Sequence, residues 1–308
     1  MNNQQTTSTI LMIRPVNFGF NEQTAGSNAF QNPNAVQQQV QDKALREFDQ
    51  MVALLRENGV EVIVIDDTAE PHKPDSIFPN NWVSFHADGT VFLYPMMAEN
   101  RRLERREDII TQLEDEFKVK HVIDLSHFER EHKFLEGTGS MVLDRENKIA
   151  YACLSPRTNR DVLEEFCLDS GYKPVLFHAV DEKGTDIYHT NVLMCIASSF
   201  AVICMDCIQD KKEKEAVLTS FQSTQKQVVT ITFGQMNHFA GNMLEVQNKA
   251  GERLLVMSKS AWDSLNYEQK AILSSFCKPV YADIGTIEAN GGGSARCMMA
   301  EVHLPRSL

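Results

Sequence analysis

The chain has 308 residues, 43% of them hydrophobic and 23% charged, an ordinary globular balance with length enough for a large core. Its net charge of −12, from 30 basic and 42 acidic residues, disfavours nucleic acid as a partner. No apolar run reaches the roughly 18 residues that a membrane span needs, and the opening M-N-N-Q-Q-T-T-S-T-I-L-M-I-R-P lacks a basic segment followed by an apolar stretch and a cleavage site. A cytoplasmic protein without a membrane partner is expected.

The first element is a strand, T-I-L-M-I-R-P. An Asn/Gln-rich stretch at 18–42 follows, and it reads as an ordered loop entering a helix, because Val36, Val40, Ala44, Phe48, Met51 and Leu55 recur at helical spacing. The next strand is V-E-V-I-V-I-D-D. Strand, helix and strand in that order predict an α/β protein.

From residue 80 onward the chain repeats itself. Five segments open with a small or polar residue and run directly into strand character: N-N-W-V-S-F-H at 80–86, G-S-M-V-L-D at 139–144, T-N-V-L-M-C-I at 190–196, G-N-M-L-E-V at 241–246 and S-A-R-C-M-M-A-E-V at 294–302. With Asn81, Ser140, Asn191, Asn242 and Ala295 as equivalent points, the intervals are 59, 51, 51 and 53 residues. A second strand and usually a helix lie between them, as in T-N-R-D-V-L-E-E-F-C-L-D-S-G. A strand-and-helix repeat of about 50 residues, five times over, suggests radial closure. The expected fold is one domain, 1–308, of five ββαβ-like units with pseudo-five-fold symmetry around a central cavity.

If the five strands point the same way around that axis, their first residues converge. The candidate chemistry is then Asp75, Asn80, Asn81, Glu136, His189, Asn242 and Cys297. Cys, His and Glu drawn from distant points form the minimum set for nucleophilic thiol chemistry, in which a positive field holds the thiolate and a carboxylate orients the other groups. The triple glycine of A-N-G-G-G-S-A-R-C-M, at 289–298, indicates that something approaches the backbone just ahead of Cys297, and a substrate is the expected neighbour of Gly292. Seven cysteines, an odd number at irregular spacing, read as reduced thiols. Cys195 and Cys204 sit in apolar runs, and the Cys204/Cys207 C-x-x-C has no second pair, so neither metal nor redox chemistry is expected there. Met96, Met97, Met298 and Met299 read as packing. Arg101, Arg102, Arg105 and Arg106 read as a solvated helix face, with Arg101 or Arg102 able to reach the site.

The motifs P-D-S-I-F-P-N-N-W, E-G-T-G, Y-H-T-N-V and G-G-G-S-A-R-C-M resemble those of the guanidine-modifying superfamily, or penteins, from residue 74 to the end of the chain. That superfamily includes arginine deiminases, dimethylarginine dimethylaminohydrolases and amidinotransferases. The resemblance implies a five-bladed β/α propeller, Cys297 as nucleophile, His189 as acid and base, Glu136 as the carboxylate beside it, and no cofactor or metal. It also implies that Arg157, in L-S-P-R-T-N, binds a substrate α-carboxylate, for which a bidentate guanidinium is suited.

One departure sharpens the substrate. Where arginine-processing members carry an acidic residue, this chain has Asn81. An amide donates and accepts, which suits a neutral ureido group better than a cation. The signature P-N-N-W…Y-P-M-M-A-x-N-R-R-x-E-R-R, with S-N-A-F-Q near the start, is similar to the amidinotransferase-like branch associated with citrulline hydrolysis. The expected activity is cleavage of citrulline to ornithine, carbon dioxide and ammonia through an S-carbamoyl intermediate, with oxyanion donors from Asn81 or the Gly291–Gly293 backbone. The alternatives are a deiminase or dihydrolase of arginine or an N-acylarginine, and a binding protein without turnover. The expected partner is a small ureido or guanidino amino acid, and the sequence leaves room for a homo-oligomer.

Overall fold

The computed structural model describes residues 4–26, 28, 30 and 37–307. Val36 of the predicted helix, and Ser27, Ala29 and Gln31 of the S-N-A-F-Q signature, lie outside the described residues.

Among the described residues, fifteen strands form five three-stranded sheets of one design. In chain order they are β1 (Thr9–Arg14), β2 (Glu61–Asp66), β3 (Val83–Phe85), β4 (Thr90–Leu93), β5 (His121–Asp124), β6 (Val142–Asp144), β7 (Ile149–Cys153) and β8 (Lys173–Phe177), then β9 (Met194–Ile196), β10 (Phe200–Ile203), β11 (Gln227–Thr230), β12 (Leu244–Gln247), β13 (Arg253–Ser258), β14 (Lys278–Ala282) and β15 (Ala300–Glu301). In each sheet a short strand pairs antiparallel with the middle strand, which pairs parallel with the third. A hairpin makes the antiparallel pair in four of the sheets, whereas the parallel pair requires a crossover, and a helix supplies it every time. The crossover helices are Gln37–Glu57, Glu107–Glu114, Arg160–Ser170, Lys211–Ser223 and the pair Lys259–Ser264 with Tyr267–Phe276. These are the five ββαβ-like units of a pentein propeller.

One unit is assembled from both ends of the chain: β15 pairs with β1 through Ile10↔Glu301 and Leu11↔Ala300, and β1 runs parallel to β2 from Thr9↔Glu61 to Arg14↔Asp66. That pairing closes the ring. The predicted strand at 294–302 is therefore short: only Ala300–Glu301 is strand, and residues 294–299 turn to carry Cys297 to the end of the axis.

Each crossover helix buries an apolar stripe on its own sheet. Val40, Ala44, Phe48, Met51 and Leu55 meet Ile10, Met12 and Val62, and Val162, Leu163 and Phe166 meet Ala150 and Ala152. Caps set the helix ends: the Asn159 side chain accepts from the Asp161 amide, and Gly171 closes the same helix in the left-handed region at φ +74°. The short first strands stand inside the ring, β15 beside β3, β6 beside β9 and β9 beside β12. Their N-terminal approaches therefore converge at one end of the axis. No helix among the described residues is long and apolar enough to cross a membrane.

Candidate active site

Cys297 sits in the turn that follows Ser294, its amide donating to the Ser294 carbonyl at 2.9 Å. The sulfur receives two side-chain amides, Nδ2 of Asn191 and Nδ2 of Asn242, each at 3.3 Å. The Asn242 amide is held at both ends. Asn242 Oδ1 accepts the Arg296 backbone N–H at 3.0 Å, and its Nδ2 also donates to the Asn191 carbonyl. Two N–H donors on one sulfur make an environment suited to an anion.

His189 ends the approach to the short helix Thr190–Leu193, and its Nε2 lies 2.7 Å from Glu136 Oε2. Glu136 also accepts the Met97 amide at 3.0 Å and faces the Arg157 guanidinium at 3.5 Å. Burial alone would raise the Glu136 carboxyl, but Arg157, followed by the His189 hydrogen bond, holds it well below the usual carboxylate range. Burial drives the His189 imidazole down to about 4 against the pull of Glu136. At neutral pH the ring is therefore neutral, with Nε2–H donated to the carboxylate and the Nδ1 lone pair left over. The side-chain groups that touch the Cys297 sulfur are the two asparagine amides.

A second group lies on the approach to β3. Asn81 Oδ1 accepts from Arg101 Nη1 at 2.9 Å, and its Nδ2 is buried without a partner. A Cβ on Gly139 would overlap both that nitrogen and His189 Nδ1, so the two atoms are neighbours across a position that only glycine can fill. Asp75 Oδ2 accepts from Asn21 at 2.7 Å and lies 3.8 Å from Arg101 Nε, while its Oδ1 is buried without a partner. Burial raises the Asp75 carboxyl above its ordinary value.

These groups surround a cavity of about 20 Å³, roughly the room for one water. Cys297, His189, Asn81, Asp75, Arg101 and Arg157 line it, closed over by Asn28, Phe78, Tyr188 and Gly291–Gly293. A free amino acid is larger than this cavity. Glu136 stands behind His189 and Asn242 behind Cys297, while Asn80 is fully buried but does not line the cavity.

The triple glycine lines the cavity beside Cys297, and side chains also press on it: a Cβ on Gly291 or Gly293 would strike the Phe78 ring, and one on Gly292, at φ +65°, would strike the Asn28 amide. Tyr188 fixes the same arch by donating to the Gly292 carbonyl at 2.9 Å. The arginine cluster is no solvated face. Arg101 is buried on the cavity, Arg105 grips Glu129, and Arg106 donates to the Asp66 carbonyl. Arg157 is likewise buried, its guanidinium 5.0 Å from the Tyr188 ring centroid. Asn191 was visible as a repeat point but carried no assigned chemistry, and nothing in the sequence marked Arg101 and Glu104 as a buried pair. Among the described residues no group of three or more His, Cys, Asp or Glu could hold a metal ion.

The fold is similar to that of the N-terminal domain of ArgZ bound to substrate, an arginine dihydrolase from the ornithine–ammonia cycle in cyanobacteria, with a TM-score of 0.76 over 96% of this chain and 98% of that one at 16% identity. Full-length ArgZ matches over 96% of this chain but 41% of its own length, at 17% identity and a TM-score of 0.73. A DDAH mutant from Pseudomonas aeruginosa complexed with citrulline matches at a TM-score of 0.66 and 14% identity, over 96% of this chain and 99% of that one. No curated protein matches by sequence. The family model described as "N,N dimethylarginine dimethylhydrolase, eukaryotic" matches residues 14–304. With almost the whole chain matched and five pentein units closed on one cysteine-bearing cavity, this chain belongs to that family of the guanidine-modifying, or pentein, superfamily and is a hydrolase of C–N bonds in guanidino or ureido groups.

Proposed function

We propose that this chain, as one catalytic domain, hydrolyses an arginine-type guanidino group twice in the same site, first to the ureido compound and then to the amine. With arginine the sum is arginine and two waters giving ornithine, carbon dioxide and two ammonia. The observation that carries this reading is a pair of orphaned buried atoms of opposite polarity on one cavity: Asp75 Oδ1, an acceptor, and Asn81 Nδ2, a donor. A guanidinium supplies N–H to the first, and a ureido oxygen, or the oxyanion formed from it, accepts from the second. The fold shared with a cyanobacterial arginine dihydrolase is consistent with this reading.

In the first stage Cys297 sulfur bonds to the guanidino carbon, its proton passing to His189 Nδ1. The imidazolium returns that proton to the departing ammonia as the C–N bond breaks. Water, deprotonated by His189, then attacks the carbon, and breaking of the C–S bond restores the thiol and leaves the ureido compound. In the second stage the same sulfur attacks the ureido carbon, and the oxygen turns anionic against Asn81 Nδ2. His189 now protonates the departing amine. The S-carbamoyl group is hydrolysed to carbamate, which breaks down to carbon dioxide and ammonia. Glu136 fixes the imidazole tautomer throughout, and Arg157 holds the substrate α-carboxylate.

The sequence reading of citrulline as substrate becomes the second half of this scheme. The test is purified enzyme supplied separately with arginine and citrulline, with ornithine, citrulline and ammonia quantified over time. Ornithine from both substrates is expected. Ornithine from citrulline with arginine untouched would restrict the enzyme to ureido cleavage, and citrulline accumulating from arginine without ornithine would make it a deiminase.

A further inference from the structure

The end of Asn81 that faces the cavity is set by Arg101, which lines the same cavity, and behind it by Glu104, which does not. Arg101 is a donor-only side chain, so the atom of Asn81 it meets at 2.9 Å must be the oxygen, and the amide nitrogen must face the cavity. Arg101 is itself immobilised. Its Nε and Nη2 donate to the two carboxylate oxygens of Glu104, both at 2.9 Å, and Nη2 also reaches the Phe78 carbonyl at 3.4 Å. Such a two-toothed contact fixes the plane of the guanidinium as well as its position. The side chains of Arg101 and Glu104 are 3% and 1% exposed, and Glu104 does not line the cavity. Without this clamp an asparagine amide can turn over, because its two ends are alike in size. One orientation then offers an acceptor to a guanidinium, and the other a donor to a ureido oxygen.

We infer that Arg101, clamped by Glu104, is a positioning residue that makes Asn81 a hydrogen-bond donor only, and so decides whether the ureido product is released or cleaved. This rests on the two-stage reading above. A locked donor is neutral or unfavourable towards a guanidinium and favourable towards the ureido oxygen and its oxyanion, so it lowers the barrier of the second stage relative to escape of the product. Its mark is a product ratio, which a general loss of stability does not change.

The test uses the full chain with arginine as substrate and reads the ratio of ornithine to released citrulline in the wild type, Glu104→Gln and Arg101→Lys. Asn81→Ala and its combination with Glu104→Gln complete a double-mutant cycle. Whatever the fall in total turnover, the ratio is expected to drop about tenfold in Glu104→Gln, the equivalent of about 1.4 kcal/mol in the partition. With citrulline as substrate the loss is expected in kcat more than in KM. Arg101→Lys keeps one donor towards Asn81 and should fall between the two; it carries the test should Glu104→Gln fail to fold. In the cycle, Glu104→Gln should add nothing to the ratio once Asn81 is alanine, because the clamp acts through that amide. Ornithine from the wild type with an unchanged ratio in the clamp variants overturns the inference alone. Citrulline from the wild type with no ornithine overturns the two-stage reading and this inference with it.

Discussion

Three of the five blades begin with asparagine at the same point of the repeat, and the three divide into two kinds of work. Asn191 and Asn242 turn their amide nitrogens onto the sulfur of Cys297, whereas Asn81 turns its nitrogen into the cavity and its oxygen onto Arg101. At the fourth such point Ser140 accepts the Glu136 amide and donates to the Arg157 carbonyl, so it builds the support beneath the histidine. The fifth is Ala295, with no polar group to offer. Position in the repeat brings each side chain to the axis, but its partner decides the role: a donor-only arginine aims the Asn81 amide, and a backbone N–H aims that of Asn242.

Variants can break this division of labour. The largest effect should come from Cys297→Ser, which replaces the sulfur nucleophile that Asn191 and Asn242 serve with a far less acidic hydroxyl; ornithine and ammonia production should fall by at least about a thousandfold with the fold intact by circular dichroism. Arg157→Ala should raise KM for substrates with a free α-carboxylate by up to about 150-fold, the worth of a lost charge-assisted contact, and spare the amide derivative of the same substrate. Equal losses on both would make Arg157 a support for Glu136 alone.

Asn81→Asp should lower kcat/KM on citrulline about 30-fold, equivalent to about 2 kcal/mol, because a carboxylate repels the developing oxyanion. The gain on arginine should be small, since Arg101 lies ready to pair with the new charge. An unchanged ratio of the two activities would reduce Asn81 to scaffold. Asn191→Leu leaves one donor on the sulfur and should slow both stages about tenfold, the cost of one hydrogen bond to a developing charge. A selective loss on one substrate would show that Asn191 contacts substrate instead.

The smallest effect is a shift in thermal stability with pH. Folded His189 takes its proton near pH 4, whereas an unfolded histidine does so near 6.5. Between those values the unfolded chain binds the extra proton, so the stability that His189 contributes is present above pH 6.5 and lost as pH falls towards 4. Relative to His189→Gln, which keeps an N–H for Glu136, wild-type Tm should fall by a few degrees across that window. Parallel curves would mean that the imidazole is charged in the folded protein.

The propeller was legible because each blade restarts with a small polar residue at nearly even intervals, and chain separation does not hide a period. Cys297, His189 and Asn81 followed from it, since the ends of the first strands had to meet. What stayed hidden depends on which neighbour arrives from elsewhere. Three glycines in a row announce a close approach but not by whom, and Phe78 and Asn28 come from 210 or more residues away. Arg101, in a run of charges, read as part of a solvent-facing stretch with a reach to the site left open, because nothing local reveals that the short helix Glu99–Arg102 packs against the cavity or that Glu104, just past it, is buried beside that arginine. Asn242 was assigned to the substrate on the same convergence that put it behind the sulfur.

The most direct test of the central claim, that one cysteine carries both stages, is mass spectrometry of peptides from enzyme quenched during turnover with arginine and, separately, with citrulline. The account expects adducts on Cys297 in both: a thiouronium-type adduct from arginine, and a carbamoyl adduct from citrulline that also grows in during the arginine reaction. Turnover of either substrate with Cys297 unmodified, or with the adduct on another of the seven cysteines, would contradict it.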